Sequence, residues 1–159
     1  MSFVALPPAP SADQPPPSEA LVENDGFFPS IDPADVREAA RIPSNITPAR
    51  LRAAIVGAMM TIGLDLQEYA ERMKAGHAAL ADVPAQTLDG QSVQLLRYGR
   101  AVALYAKAEL IERHRDFDLT AAGGNQVDDL TASIGELRRD AQHAVRDMLG
   151  RSRTVIDLI

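Results

Sequence analysis

The stretch that most constrains the fold of this chain runs from residue 125 to residue 148. Its apolar residues recur in alternating steps of three and four, which places them on one stripe of an α-helix. They are Val127, Leu130, Ile134, Leu137, Ala141, Ala144 and Met148. Asn125 is positioned to cap the helix and Gly150 to end it. Because such a stripe is buried only against nearly parallel helices, we predict an all-α fold, a small helical bundle.

Three further helices are predicted, at residues 33–41, 48–75 and 92–115. An Asp-Pro pair and a Thr-Pro pair begin the first two, since a side-chain cap followed by proline is a common helix start. The second helix carries a stripe at Leu51, Ile55, Ala58, Ile62, Leu66, Tyr69 and Met73. The third carries Leu95, Leu96, Gly99, Val102, Ala103, Ala106 and Leu110. We therefore expect about four helices, two or three of them long, with Gly57 and Gly63 serving a close helix contact or a bend.

Outside the predicted bundle, which spans residues 27–150, the chain has two extensions. Residues 1–26 are rich in proline and lack periodicity, which predicts an extended arm; simple terminal disorder is the alternative. Residues 1–32 contain five acidic residues and no Lys or Arg, so the net charge of -6 resides mostly at this end. Residues 151–159 form a β-branched, strand-like tail.

The arm is followed by an apolar segment that contains Phe27, Phe28 and Ile31. Two adjacent phenylalanine side chains left in water would expose apolar area worth roughly 1.5–3 kcal/mol each. We therefore expect this segment to anchor the arm, either on the helices of its own chain or in a neighbouring subunit.

The tail is predicted to dock on a partner, because no other part of the sequence offers it a partner strand. An extended segment of this kind can add to a partner's exposed edge while its apolar side chains fill pockets. The predicted docking residues are Arg151, Arg153, Val155, Ile156, Leu158 and Ile159. The alternative is that the tail folds back on its own helices.

Catalytic and metal-binding patterns are not found in the sequence. The chain has no cysteine, and its histidines lie in separate segments, at His77, His114 and His143. Asp140 and His143 are one helical turn apart, but a di-iron site needs a second such pair. Glu109 and Glu112 are also one turn apart, as in an acid pair, but they are better explained as residues that flank Arg113 on an exposed surface. We expect no cofactor, no metal and no enzymatic activity.

The net charge and the hydropathy of the chain restrict the kinds of partner that it is expected to bind. The isoelectric point of about 5.0 and the absence of a Lys/Arg cluster argue against nucleic-acid binding. No apolar run approaches the ~20 residues that span a bilayer, and the first residues do not resemble a signal peptide. These features predict a soluble intracellular protein with no membrane partner.

Six short segments occur in an order and at spacings that carry a family resemblance. They are FFPSIDP at 27–33, PARLRAAI at 48–55, LADVPA at 80–85, DG at 89–90, RAV at 100–102 and ELRRD at 136–140. Together they resemble the head completion protein family, the L-type protein, of contractile-tailed phages. The resemblance covers residues 27–159, and the arm agrees only in being rich in proline. Arg138 and His143 depart from the family pattern, which carries aromatic residues at these positions.

The resemblance implies a structural protein of the virion that is assembled in the host bacterial cytoplasm. It implies a homo-oligomeric ring, dodecameric to match the portal, that mounts on the portal vertex after packaging and retains the genome. The implied partners are the portal protein and a neck or tail terminator protein. DNA would pass through the lumen without specific binding, and the acidic balance of the chain suits this passage.

The sequence leaves two other functions open. A DNA-recognising helical packaging protein, such as a small terminase subunit, would bind duplex DNA in a salt-dependent way. A generic helical partner-binding module would bind no portal protein.

Overall fold

The computed structural model of the chain describes residues 20–118 and 134–151, with the backbone alone for 114–118. This part is mostly helical. Its α-helices are α1 (Pro33–Ala39), α2 (Pro48–Asp65), α3 (Gln67–Lys74), α4 (Val93–Asp118) and α5 (Ile134–Met148). A short 3-10 helix (Leu80–Asp82) and a two-stranded antiparallel sheet of β1 (Thr87–Leu88) and β2 (Gln91–Ser92) lie between α3 and α4. The all-α prediction is thus approximate.

The predicted helix starts are confirmed by their caps. The carboxylate of Asp32 accepts a hydrogen bond from the amide of Ala34 at 2.7 Å, and Pro33 is the first residue of α1. The hydroxyl of Thr47 accepts one from the amide of Arg50 at 3.4 Å at the start of α2. Local capping chemistry therefore fixes where both helices begin.

The single helix predicted for residues 48–75 is wrong, because it divides at Leu66. The backbone of Leu66 has φ -101° and ψ 4°, outside the α-helical region, while its side chain is fully buried. Gly57 serves a close contact, as expected: a Cβ atom there would lie 2.6 Å from a carboxylate oxygen of Glu109 on α4. Gly63 has open space around its Cβ position.

Helix α4 lies at the centre of the described structure and packs against both α2 and α5. Arg97, near the start of α4, donates to the backbone carbonyl of Asp147 near the end of α5 at 3.2 Å. At the opposite end, Glu112 and Arg138 form an ion pair at 2.6 Å, so α4 and α5 run antiparallel.

Of the five described residues of the stripe predicted for the last helix, four are buried and Ile134 is half-buried. The buried residues of α5 are Leu137, Ala141, Ala144, Val145 and Met148. Val127 and Leu130, which were predicted to extend this stripe, lie outside the described residues, as does the proposed cap Asn125. On α4 the prediction was wrong for Leu96, which is 39% exposed, while Tyr98 and Ala101 are fully buried.

The connection between α3 and α4 is closed by the predicted Asp-Gly turn. Asp89 and Gly90 have φ values of 49° and 73°, the left-handed pair that two-residue hairpins require. Among the helices of the described residues, none combines the length and the apolar character needed to cross a bilayer.

Candidate functional site

The N-terminal end of the described structure is attached to the helices by backbone and side-chain hydrogen bonds. Val22 and Ile31 exchange two backbone hydrogen bonds of 2.8 and 2.9 Å, and both side chains are buried. The guanidinium of Arg52 on α2 donates to the carbonyls of Ala20 at 2.6 Å and Leu21 at 3.3 Å. Residues 20–26, assigned to the arm from the sequence, therefore contribute a side chain to the core.

Phe27 and Phe28 are both buried and contact different parts of the chain. Their rings meet edge to face with centroids 5.1 Å apart, and Phe28 stacks on Tyr98 of α4 at 4.9 Å with an interplanar angle of 8°. The carbonyl of Phe27 accepts a hydrogen bond of 2.8 Å from the amide of Leu80 in the 3-10 helix. The ring of Phe28 thus joins the N-terminal segment to α4, and the backbone of Phe27 joins it to the 3-10 helix before α4.

Asp25 holds the turn that leads into these rings. Its carboxylate accepts hydrogen bonds from the amides of Phe27 at 3.1 Å and Phe28 at 3.4 Å, and it forms an ion pair of 2.8 Å with Lys74 of α3. The ammonium of Lys74 also lies 5.5 Å from the centroid of the Phe27 ring. The hydrogen bond from Lys74, aided by the two amides and opposed by burial, lowers the pKa of Asp25 below its usual value.

Tyr98 is a member of this cluster that the sequence analysis missed. It is fully buried, and its hydroxyl accepts a hydrogen bond from the side-chain amide of Asn24 at 2.8 Å. Burial raises the pKa of Tyr98 to about 12, so the hydroxyl stays neutral. Its spacing from Leu95 and Val102, three and four residues, was the signal that could have placed it on the buried stripe.

The C-terminal end of the described structure has the predicted glycine stop. Gly150 has φ 67°, its amide donates to the carbonyl of Asp147 at 3.3 Å, and the amide of Arg151 donates to the carbonyl of Arg146 at 2.9 Å. This pair of bonds is the Schellman motif that ends many helices. Arg151 is exposed and borders a groove together with Leu64. The other predicted docking residues, Arg153, Val155, Ile156, Leu158 and Ile159, lie outside the described residues.

A second feature that the sequence analysis missed is the outward side of α2. Val56, Met60 and Leu64 are 40%, 68% and 74% exposed although all three are large and apolar. Residues 53–64 contain no charged side chain, and this long uncharged run on a surface helix was the available signal. We call Val56, Met60 and Leu64 the outer face of α2.

Two acidic residues of α4 form ion pairs. Glu109 pairs with Arg113 at 2.7 Å, and Glu112 pairs with Arg138 of α5. Within residues 20–113 and 134–151, no group of three or more His, Asp or Glu side chains is arranged to hold a metal ion. The main features of the described structure are the packing of its helices and the attachment of the N-terminal segment to them.

Comparison with known proteins agrees with the resemblance seen in the sequence. The model of the family described as phage head completion protein (GPL) matches residues 22–159. The chain is 40% identical over 153 residues, 96% of its length and 88% of the relative, to the head completion/stabilization protein of Escherichia phage P2. It is 25% identical over 142 residues, 89% of its length and 93% of the relative, to the probable head completion/stabilization protein of Haemophilus phage HP1.

No solved structure matches the chain. The family match extends from the bridge residue Val22, through the Phe27–Phe28 cluster and α5, to the last residue. It therefore covers every described helix. The chain belongs to the phage head completion protein family, a family of phage structural proteins.

Proposed function

We propose that this chain completes phage heads as a head-to-tail adaptor on the portal vertex. Mounted there after packaging, it retains the genome and provides the attachment site for the neck or tail. The observation that carries this proposal is the family match over residues 22–159, together with the near full-length relative named a head completion/stabilization protein. A mostly helical body with 19 residues before it and eight after it suits a protein that connects other proteins through chain extensions.

The adaptor is a ring of identical subunits, dodecameric to match the portal, and the free protein is monomeric or weakly associated. The proposed partners are the portal protein on one side and a neck or tail terminator protein on the other. The support is that the buried stripes of α2, α4 and α5 are satisfied within one chain. The helices therefore need no second subunit in order to fold.

In this adaptor the cluster of Phe27, Phe28 and Ile31 anchors the N-terminal arm on its own subunit. The support is the burial of all three side chains and the backbone bridge between Ile31 and Val22. A segment fixed in this way sets the point from which the remaining 19 residues extend.

The C-terminal tail is the portal-docking element. The support is that the chain leaves α5 through a glycine cap and that Arg151, the first docking residue, is exposed. Val155, Ile156, Leu158 and Ile159 would fill pockets on the portal, with Arg151 and Arg153 making polar contacts beside them.

Truncation after Gly150 tests the docking proposal. The expected result is unchanged helical circular dichroism and melting of the free protein, loss of portal binding, and heads that leak DNA in a nuclease-protection assay. A matched control keeps the tail length and replaces its four apolar residues with serine, and it should fail in the same way. A destabilised monomer would instead show that the tail folds back on its own helices.

The broader proposal has its own test in complementation of a phage that lacks its head completion gene. Full-length protein should restore DNA-filled, infectious heads and should be found at the portal vertex by electron microscopy. A salt-dependent shift of duplex DNA with no association with heads would favour a DNA-recognising packaging protein and overturn the adaptor.

A further inference from the structure

The outer face of α2 is an apolar surface that the described part of the chain leaves uncovered. Val56, Met60 and Leu64 recur at steps of four, so they form one ridge about 12 Å long on the helix. Two of the three are more than two-thirds exposed. Contiguous exposed apolar side chains on a soluble protein commonly mark an interaction site.

The N-terminal arm enters the described structure beside this face. Arg52, one turn before Val56 on α2, holds the carbonyls of Ala20 and Leu21. Residues 22–25 then line a shallow groove together with Val56 and Met60. The point from which residues 1–19 extend is therefore fixed at the edge of the outer face.

The sequence of the arm has two parts with different physical character. Residues 1–6 carry the apolar side chains of Met1, Phe3, Val4 and Leu6 and no charged side chain. Residues 7–17 contain six prolines in eleven residues. Such a segment favours polyproline II, which rises ~3.1 Å per residue, so it would act as a semi-rigid spacer of about 34 Å.

The length of this spacer matches the distance between neighbouring subunits. A compact chain of this size has a radius of gyration of roughly 15 Å, so touching copies lie on the order of 30–40 Å apart. Because the arm starts beside its own outer face, the outer face of the next copy is one subunit spacing away. A stiff spacer overshoots the ~12 Å face of its own subunit, and a linker whose length matches the span gives the highest effective concentration.

We infer that residues 1–6 of each subunit dock on the outer face of α2 of the neighbouring subunit. Each arm would then connect two adjacent subunits of the ring. This inference rests on the proposed ring. Face-to-face packing of two α2 helices is disfavoured as the main contact, because three side chains fall short of the ~1,000 Å² that a stable interface needs. The C-terminal tail is a poorer match, since it includes Arg151, Arg153 and Asp157 whereas the outer face is uncharged.

Disulfide cross-linking tests the inference directly, because the chain has no cysteine of its own. Leu6→Cys and Met60→Cys are placed in two separately tagged copies, which are co-assembled into phage heads and oxidised. We expect a disulfide between the two tags, with a cross-linked fraction about ten-fold above a control that pairs Leu6→Cys with Leu88→Cys. Leu88 is a fair control because it is 60% exposed and lies on the β1–β2 hairpin.

The other outcomes overturn the inference. A cross-link within one chain carrying both cysteines, formed in dilute free protein, would show that the arm covers its own subunit. Cross-linking of Met60→Cys to Ile156→Cys, or to Met60→Cys of a second copy, would assign the face to the tail or to α2 itself. Heads that contain the protein but show no cross-link defeat the inference and leave the adaptor intact, whereas protein absent from heads defeats the adaptor.

A pair of assembly variants gives an independent measurement. Deletion of residues 2–6 and Met60→Asp should each lower the amount of protein retained in heads by about ten-fold, and the two changes together should lower it little further. Melting of the free protein should be unchanged by both. Equal retention of the parent and both variants would contradict the docking of the arm on α2.

Discussion

The two ends of the helical body are attached to it in different ways. The N-terminal end contributes Val22, Phe27 and Phe28 to the core and is held by side chains of α2, α3 and α4. The C-terminal end leaves through a cap made of backbone hydrogen bonds, and Arg151 is exposed. We therefore expect the free energy of unfolding to depend strongly on the N-terminal end and far less on the last residues of the C-terminal end.

The sharpest test of this comparison is the double substitution Phe27→Ala with Phe28→Ala. Removing one buried phenylalanine ring typically costs about 3–5 kcal/mol, and because the two rings touch, the double cost should fall short of the sum. We expect a loss of several kcal/mol of unfolding free energy, measured by urea denaturation. Leu88→Ala, which changes an exposed side chain, should cost less than about 0.5 kcal/mol. A double variant as stable as the parent would end the anchor proposal.

The hydrogen bond of Tyr98 provides a finer test of the same end. Tyr98→Phe keeps the ring that stacks on Phe28 but leaves the side-chain amide nitrogen of Asn24 without its hydrogen-bond acceptor, and we expect a cost of about 1 kcal/mol. Tyr69→Phe is the matched control, because the buried hydroxyl of Tyr69 has no hydrogen-bond partner within the described residues. That substitution should be neutral or stabilising. Equal changes in melting temperature for Tyr98→Phe and Tyr69→Phe would show that the hydrogen bond to Asn24 contributes nothing to stability.

At the C-terminal end, Gly150→Ala tests how much the cap contributes. Gly150 has a positive φ of 67°, which an alanine adopts at a cost of about 1 kcal/mol. Gly63→Ala makes the same chemical change inside α2, where the Cβ position is open, and should stabilise by up to about 1 kcal/mol. The two denaturation midpoints should therefore move in opposite directions. Midpoints that move in the same direction would contradict the proposed contribution of the glycine cap to stability.

The smallest expected effect is the pH dependence of the Asp25–Lys74 pair. Because the folded pKa of Asp25 is lowered from 3.8, its stabilising contribution is present above that value and is lost as the pH falls through the folded pKa. Both side chains are nearly half exposed, so screening should keep this contribution below about 1 kcal/mol. Asp25→Asn should be slightly less stable than the parent at pH 7, with the difference vanishing in acid. A difference that persists at low pH would rule out the charge as its cause.

Features set by neighbouring residues were predicted well from the sequence. The caps at Asp32 and Thr47, the Asp89–Gly90 turn and the Gly150 stop each depend on a few adjacent residues whose backbone preferences are strong. The burial of Phe27, Phe28 and Ile31 also followed from their apolar character.

Features set by tertiary packing were not predicted. The break between α2 and α3 at Leu66 interrupts a stripe with continuous helical spacing, and no Pro or adjacent Gly marks it. The stack of Phe28 on Tyr98 joins residues seventy positions apart, which no local pattern can reveal. On α2 the spacing correctly placed Ile62 on the buried stripe, whereas the exposure of the equally apolar Met60 depends on which neighbours the fold supplies.

The central position of α4 also bears on how the protein is made. One flank of α4 is covered by α5, which follows α4 in the chain and therefore leaves the ribosome after it. Chains fold from the N-terminus as they emerge, so α4 stays without this partner until α5 has been made. A product that terminates before α5 would lack the buried surface of Leu137, Ala141 and Val145 and would leave this flank of α4 exposed. We therefore expect proteases and chaperones to remove such shortened chains before they compete with complete subunits for places in a phage head.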